Sequence, residues 1–171
     1  MHFEVVVPDV EEAHGGDPGE DVLESARRKA RAAAAPGALV IGCDTEVAID
    51  GTALGKPVDE ATAREHLGRL SGRSHEVLSG LVLLGPEPNQ AREGVARSLV
   101  TFASLSDEVT ELYIASGEWR ERAGGYAIQG LGSTLVERVE GDLSNVIGLP
   151  VGLLLELAPE LAPQDFGGSA A

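Results

Sequence analysis

Two stretches of this chain place together residue types that could handle phosphate. Gly42-Cys43-Asp44-Thr45 is followed shortly by Gly55-Lys56-Pro57. Leu39-Val40-Ile41 reads as a short buried strand that delivers Asp44 to its end. A second run, Val47-Ala48-Ile49, reaches Asp50-Gly51, the strongest two-residue hairpin signal, and the return brings Lys56 back towards Asp44. A carboxylate beside an ammonium suits metal-assisted phosphate chemistry. The acid is a hard oxygen ligand for a cation such as Mg²⁺, and the lysine offsets charge on phosphate.

The basic residues sharpen this. Of 13, eleven are arginine, and Lys29 and Lys56 are the two lysines. A compact ammonium and a planar guanidinium are not interchangeable, so a chain that writes arginine elsewhere points to its lysines as site residues. Glu11 or Glu12, in an early loop, could add a second carboxylate for metal binding or for activating water. The same residues also read as a turn aspartate and solvated loop acids, and residue type by itself leaves both readings open. Cys43 reads as a small buried strand residue.

The elements that must position these groups follow from periodicity and punctuation. Phe3–Val7 is apolar and β-rich, stopped by Pro8, and predicts a first strand. Asp17 as cap, Pro18 and Glu20 open a helix that runs to about Ala35, with Val22, Ala26, Ala30 and Ala33 on its apolar face and Lys29 at the border. Asp59 starts a second helix to about Leu70, buried through Ala63, Leu67 and Leu70. Long strands are expected over Ser74–Leu84 and Glu93–Ala103, paired as a hairpin through a Pro/Gly-rich turn at 85–89, with His75 facing solvent or bonding the backbone. Ser106 caps a third helix to about Ser116 whose inward residues are Val109, Leu112 and Tyr113. The glycine-rich stretch 122–132 allows close approach to a ligand or tight turns. A strand at about Ser133–Val139, a turn at 141–145 and a helix from Pro150 complete the pattern. The expected fold is α/β, with a mixed sheet containing a long antiparallel hairpin, in one domain over residues 1–161 with a disordered tail at 162–171.

Composition limits the functions available. The chain has 171 residues, 28 acids and a formal charge of −15, which repels a nucleic-acid backbone. No apolar run approaches the roughly 20 residues of a membrane span, and no signal peptide is legible at the start. One cysteine makes no internal disulfide, so a cytoplasmic location is expected. There is no Walker-A loop, dinucleotide-binding glycine fingerprint or multi-Cys/His metal signature.

Taken in order, the motifs resemble the Maf family of nucleotide pyrophosphatases. The stretches that carry the likeness are Phe3 to Glu12, Ala26 to Ala30, Gly42-Cys43-Asp44-Thr45, Gly55-Lys56-Pro57, Leu70 to His75, Ala123 to Gly130, and Gly141-Asp142 through Gly148-Leu149-Pro150. The resemblance implies an elongated, two-lobed α/β fold with a central cleft, similar to inosine triphosphate pyrophosphatases. It implies cleavage of a nucleoside triphosphate between its α and β phosphates with a divalent metal, Mg²⁺ or Mn²⁺. By position, Asp44 looks like the acceptor that activates water, Glu12 and Asp44 like metal-linked carboxylates, and Lys29 and Lys56 like triphosphate contacts. Thr45 and Gln129 resemble the branch that prefers dTTP and UTP, with modified pyrimidine nucleotides as further substrates.

The chain departs from the family pattern in two places. Arg122 stands where a lysine is usual, and the Ser-x-Ser-Pro-Arg-Arg loop that ordinarily precedes the equivalent of Phe3 is not among these residues. That second departure, with the family's association with septum formation, motivates an alternative: a catalytically impaired nucleotide-binding or cell-division regulatory protein. A nucleoside triphosphate is the expected partner, nucleic acid and membranes are not, and a homodimer stays open.

Overall fold

The computed structural model describes residues 3–85 and 91–162. The expected turn at 85–89 lies outside these residues except for Gly85, and so does the expected tail from residue 163. The elements are α1 (Pro18–Ala32), β1 (Val40–Ile49), β2 (Thr52–Leu54), α2 (Glu60–Leu70), β3 (Ser74–Leu84), β4 (Ala91–Phe102), α3 (Asp107–Ser116), β5 (Val136–Glu140), α4 (Leu143–Ile147) and α5 (Val151–Leu157). They form an α/β structure around one five-stranded sheet of order β2-β1-β3-β4-β5. Among the described residues every pairing is antiparallel, so the mixed sheet expected from the alternation of strands and helices is corrected.

The central correction concerns β1. The two short runs about Asp44 are one ten-residue strand, and Asp44 stands in its middle. Asp50 and Gly51 both have positive φ, the requirement of a two-residue turn whose twist matches the strands, and Ile49 faces Thr52 across it. Strand β2 covers only Val47, Ala48 and Ile49. The edge of β1 from Val40 to Glu46 therefore has no strand on that side among the described residues.

Alternation along β1 and β3 sorts side chains between two faces. Gly42, Asp44, Glu46 and Ala48 oppose Val82, Gly80, Leu78 and Glu76 on the face that carries α1. Val22, Ala26 and Ala30 of α1 pack there against Ala48, Leu78 and Val82. The helix sits unusually close: a Cβ on Gly42 would lie 2.4 Å from the Ala26 carbonyl oxygen, and one on Gly80 would lie 2.3 Å from that of Val22. On the opposite face, Val47 and Val77 join α2, α3, Trp119 and Tyr126 in the main core, while Leu81 and Leu83 pack against α5.

The helix caps follow the sequence. The Asp17 carboxylate accepts from the Gly19 and Glu20 amides, that of Asp59 from Thr62, and the Ser106 hydroxyl from Val109. Four further expectations are corrected. Phe3–Val7 forms no strand: residues 3–14 have no regular structure, and Phe3, Val5, Val6 and Val7 are exposed, since a strand needs a neighbour's edge for its backbone. In α3, Val109 and Leu112 face outward while Tyr113 and Ile114 are buried, a roll fixed by the Tyr113 hydroxyl accepting from the Ala127 amide at 3.1 Å. The 141–145 turn is the start of α4, capped by Asp142 at 2.7 Å from the Ser144 amide. Strand β5 starts at Val136, later than expected, because Gly130–Leu135 is wound into 3-10 turns pinned by the Glu118 carboxylate.

His75 is also corrected: it is 2 % exposed, 2.8 Å from the Tyr126 hydroxyl, and edge-on to Phe102 and Tyr126. Burial pushes its pKa down to about 4, so the folded protein holds it neutral. The unfolded chain takes up this proton near the ordinary histidine value. The stability gained is therefore complete above about pH 6.5 and lost as pH falls towards 4, amounting to about 3 kcal/mol. His75→Gln, which keeps a donor for Tyr126 but does not titrate, is expected to lose less stability than the wild type between pH 7 and 4.5 in urea titrations. Parallel losses would remove His75 as an acid-labile group.

Candidate active site

Four elements bring the acidic and basic residues together. Helix α1, lowered onto Gly42 and Gly80, points Lys29 along the sheet to Asp44 of β1. The loop before α1 brings in Glu12, and the chain beyond β2 brings in Lys56. Lys29 Nζ donates to Asp44 Oδ1 and, at 2.7 Å, to Glu12 Oε1, while Lys56 Nζ lies 3.5 Å from the same Glu12 oxygen. Glu11 is exposed, and its carbonyl accepts from Arg28 at 3.0 Å, so of the two loop acids Glu12 enters the cluster. The loop is tied down by the Ala13 amide donating to buried Ser25 at 2.8 Å and the Gly16 amide donating to Asp21 at 2.8 Å.

The protonation states follow from burial and neighbours. Burial raises the Asp44 pKa above the ordinary carboxylate value, partly offset by Lys29, which makes it a stronger base than a free aspartate. Burial opposes charge on Glu12 too, but Lys29 and then Lys56 outweigh it and hold its carboxyl below the usual range. Burial likewise opposes the Lys29 ammonium, yet Asp44 and Glu12 raise its pKa, so it stays charged. Cys43 is pushed up to about 11 by burial and by Asp44, and its thiol lies 3.3 Å from the Gly148 carbonyl oxygen, which makes it a packed, protonated group.

Two cavities meet around the open edge of β1. One, of about 270 Å³, is lined by Lys29, Asp44, Thr45, Lys56, Arg122 and Gln129 among others. The other, of about 730 Å³, holds Glu12 and Glu46 and shares Thr45 and Lys56 with the first. The α1 face thus supplies charge, and the opposite face supplies Thr45, Val77 and the walls 126–129 and 146–148. In the glycine-rich stretch the glycines serve backbone packing: a Cβ on Gly124 would meet Val47 at 2.9 Å, and the Gly124 amide donates to the Gly55 carbonyl. Gln129 follows on this wall, exposed to the cavity.

Glu12, Lys29, Asp44, Thr45, Lys56 and Gln129 therefore border the two cavities, which also include Arg122 as a third cation, whereas Glu11 borders neither. Two polar residues were missed. Glu46 is buried, its Oε2 has no hydrogen-bond partner, and burial and then Asp44 push its pKa up to about 7. Its place two residues after Asp44 on a strand was a readable signal. Ser79, buried against Thr45, had none, because strand register is not visible in sequence.

The donor set fits a divalent cation such as Mg²⁺. Asp44 and Glu12 each spend one oxygen on Lys29 and leave the other without a protein hydrogen bond among the described residues. Among the described residues no group of three His, Cys, Asp or Glu that could hold a metal converges there. Mg²⁺ bound by one or two carboxylates keeps water and takes its remaining ligands from phosphate oxygens.

A family model described as Maf-like protein matches residues 1–161. The dTTP/UTP pyrophosphatase of Symbiobacterium thermophilum is 44% identical over 173 residues, spanning 98% of this chain and 88% of the relative. That of Deinococcus radiodurans is 44% identical over 168 residues, spanning 96% and 85%. That of Pyrococcus furiosus is 43% identical over 143 residues, spanning 82% and 74%. Among the described residues no helix is long and apolar enough to cross a membrane.

Proposed function

Because the chain belongs to the Maf-like protein family, we propose that it is a pyrophosphatase acting on dTTP and UTP, releasing the nucleoside monophosphate and pyrophosphate. The observation that carries this reading is the Glu12–Lys29–Asp44 cluster, open to a cavity that also holds Lys56, Arg122, Thr45 and Gln129. The names of the relatives supply the substrate class, and the cavity lining includes both cations suited to a triphosphate and hydrogen-bonding side chains suited to a base.

Asp44, raised in basicity by burial, takes a proton from water as the water oxygen bonds to one phosphorus of the α–β anhydride. The bridging oxygen leaves with the other phosphoryl group. Lys29 and Lys56 offset the charge that builds on the phosphate oxygens, with Arg122 as a third cation lining the same cavity. Glu12 and Asp44 would hold Mg²⁺ or Mn²⁺, which when bound neutralises triphosphate charge and polarises the phosphoryl oxygens. Thr45 and Gln129 read the base edge, since a hydroxyl and an amide can both donate and accept. A cytoplasmic setting, where nucleotides and reduced thiols coexist, fits this reading.

The test is release of pyrophosphate from dTTP and UTP by the purified 171-residue chain with Mg²⁺ or Mn²⁺. Turnover of both nucleotides is expected. Binding without turnover would instead favour the impaired nucleotide-binding protein.

A further inference from the structure

Both lysines assigned to the triphosphate are held by the carboxylates assigned to the metal. Lys29 Nζ donates to Asp44 Oδ1 and, at 2.7 Å, to Glu12 Oε1, and Lys56 Nζ lies 3.5 Å from the same Glu12 oxygen. Two ammonium groups face two carboxylates, so the cluster is formally neutral. A triphosphate arriving alone has to draw the lysines away from Glu12. A divalent cation arriving alone has to draw the carboxylates away from the lysines. Arriving together they relieve one another: metal replaces ammonium beside the carboxylates, and phosphate replaces carboxylate beside the ammonium groups.

The parts differ in their freedom to move. Lys29 is carried by α1, and Asp44 stands in mid-strand. The backbone on either side of Glu12 is tied down, by Arg28 at the Glu11 carbonyl and by Ser25 at the Ala13 amide. The Glu12 side chain is 26% exposed, and among the described residues the two lysines are the partners of its carboxylate. Lys56, 49% exposed, lies beyond β2 and outside any helix or strand. Rotation of the Glu12 side chain therefore releases both lysines while the fold stays in place.

We propose that Glu12 is an electrostatic latch: without a divalent cation it holds Lys29 and Lys56 against an incoming triphosphate, and by turning to the cation it releases them. Metal and triphosphate then bind with positive coupling, each raising affinity for the other by the same factor. The inference rests on the phosphate role proposed for the two lysines and adds a device that keeps the site closed to metal-free polyphosphate.

The test measures binding of inorganic tripolyphosphate by calorimetry in metal-free buffer, for the wild type, Glu12→Gln, Glu12→Ala and Glu121→Gln. Tripolyphosphate has no base, so the phosphate site alone is read. Glu121 lines the same cavity as Lys29 and Lys56 and makes no ion pair among the described residues, so its loss reports the general effect of one acid fewer. The Glu12 variants are expected to bind at least about tenfold more tightly than the wild type, and Glu121→Gln less than about threefold more tightly. With Mg²⁺, Glu12→Gln should turn over dTTP more slowly than the wild type, the opposite direction, because a metal ligand is lost. Urea midpoints identify the folded variants, and either Glu12 variant decides the question. A folded one that binds tripolyphosphate no more tightly than Glu121→Gln overturns the proposal, and so does a lack of binding in all four proteins. Pyrophosphate release from dTTP by the wild type is judged separately. If it fails while the Glu12 variants still bind more tightly, the pyrophosphatase reading falls and the latch stands.

Discussion

Asp44→Asn is expected to lower kcat for dTTP by about 10²–10⁴-fold while leaving the fold intact. Asparagine has the same shape and keeps an oxygen that can accept from Lys29, so the cluster stays in place. It does not take up the proton from water, and that step is the one proposed for Asp44. The residue stands in the middle of a ten-residue strand, under α1 and away from bulk water, where its carboxylate is more basic than usual. Pyrophosphate release gives the rate, and a urea unfolding midpoint shows that the variant is folded. Turnover equal to the wild type's would take Asp44 out of the water-activating role.

Lys29→Met is expected to lose both activity and stability. Its ammonium is shared between Asp44 and Glu12, and without it two carboxylates face one another across a partly closed cavity. Removing one member of a buried ion pair typically costs 3–5 kcal/mol. The Lys29 side chain keeps 22% of its exposure, which reduces the expected loss to about 2–3 kcal/mol. The pH dependence has a definite sign. Without Lys29 the Asp44 pKa, already raised by burial, rises further and Glu12 loses the partner that most holds its own down, so the folded protein binds protons more readily. The deficit should then be largest near pH 8 and shrink as pH is lowered towards 5. Loss of a cation aimed at the phosphates should also reduce kcat by about 10²–10³-fold. Lys29→Arg separates the two effects, because it keeps the charge while changing the shape that fits between the carboxylates. A Lys29→Met protein as stable as the wild type at pH 8 would show that the three side chains do not depend on one another.

Much of the local structure was legible because its causes are local. Asp17, Asp59 and Ser106 cap helices where their short oxygen side chains reach free amides, and Asp50-Gly51 turns the chain because both positions tolerate positive φ. The β3–β4 hairpin was readable from alternation, since eleven residue pairs run from Ser74↔Thr101 to Leu84↔Ala91. Failures came where the outcome depends on distant neighbours. Phe3–Val7 has the composition of a strand, but composition does not provide an edge to pair with. Val109 and Leu112 fit a helical period as well as Tyr113 does, and packing of Tyr113 and Ile114 into the main core, with the Tyr113 bond to Ala127, decides which residues turn inward. His75 looks like a surface strand end until Tyr126, 51 residues later, covers it.

For the site, residue identity determined the chemistry that is available: Asp44 and Glu12 as hard oxygen donors, Lys29 and Lys56 as compact cations, and Thr45 and Gln129 as hydrogen-bonding groups. Those properties belong to side chains and need no fold. The tertiary structure decided that one lysine bridges both acids, because glycines 42 and 80 let α1 settle onto the sheet. It also decided that Asp44 works from mid-strand at an open edge, and that Ser79 meets Thr45 across two strands. Close approach and strand register arise from packing between segments far apart in the chain, where no short window of sequence contains both partners.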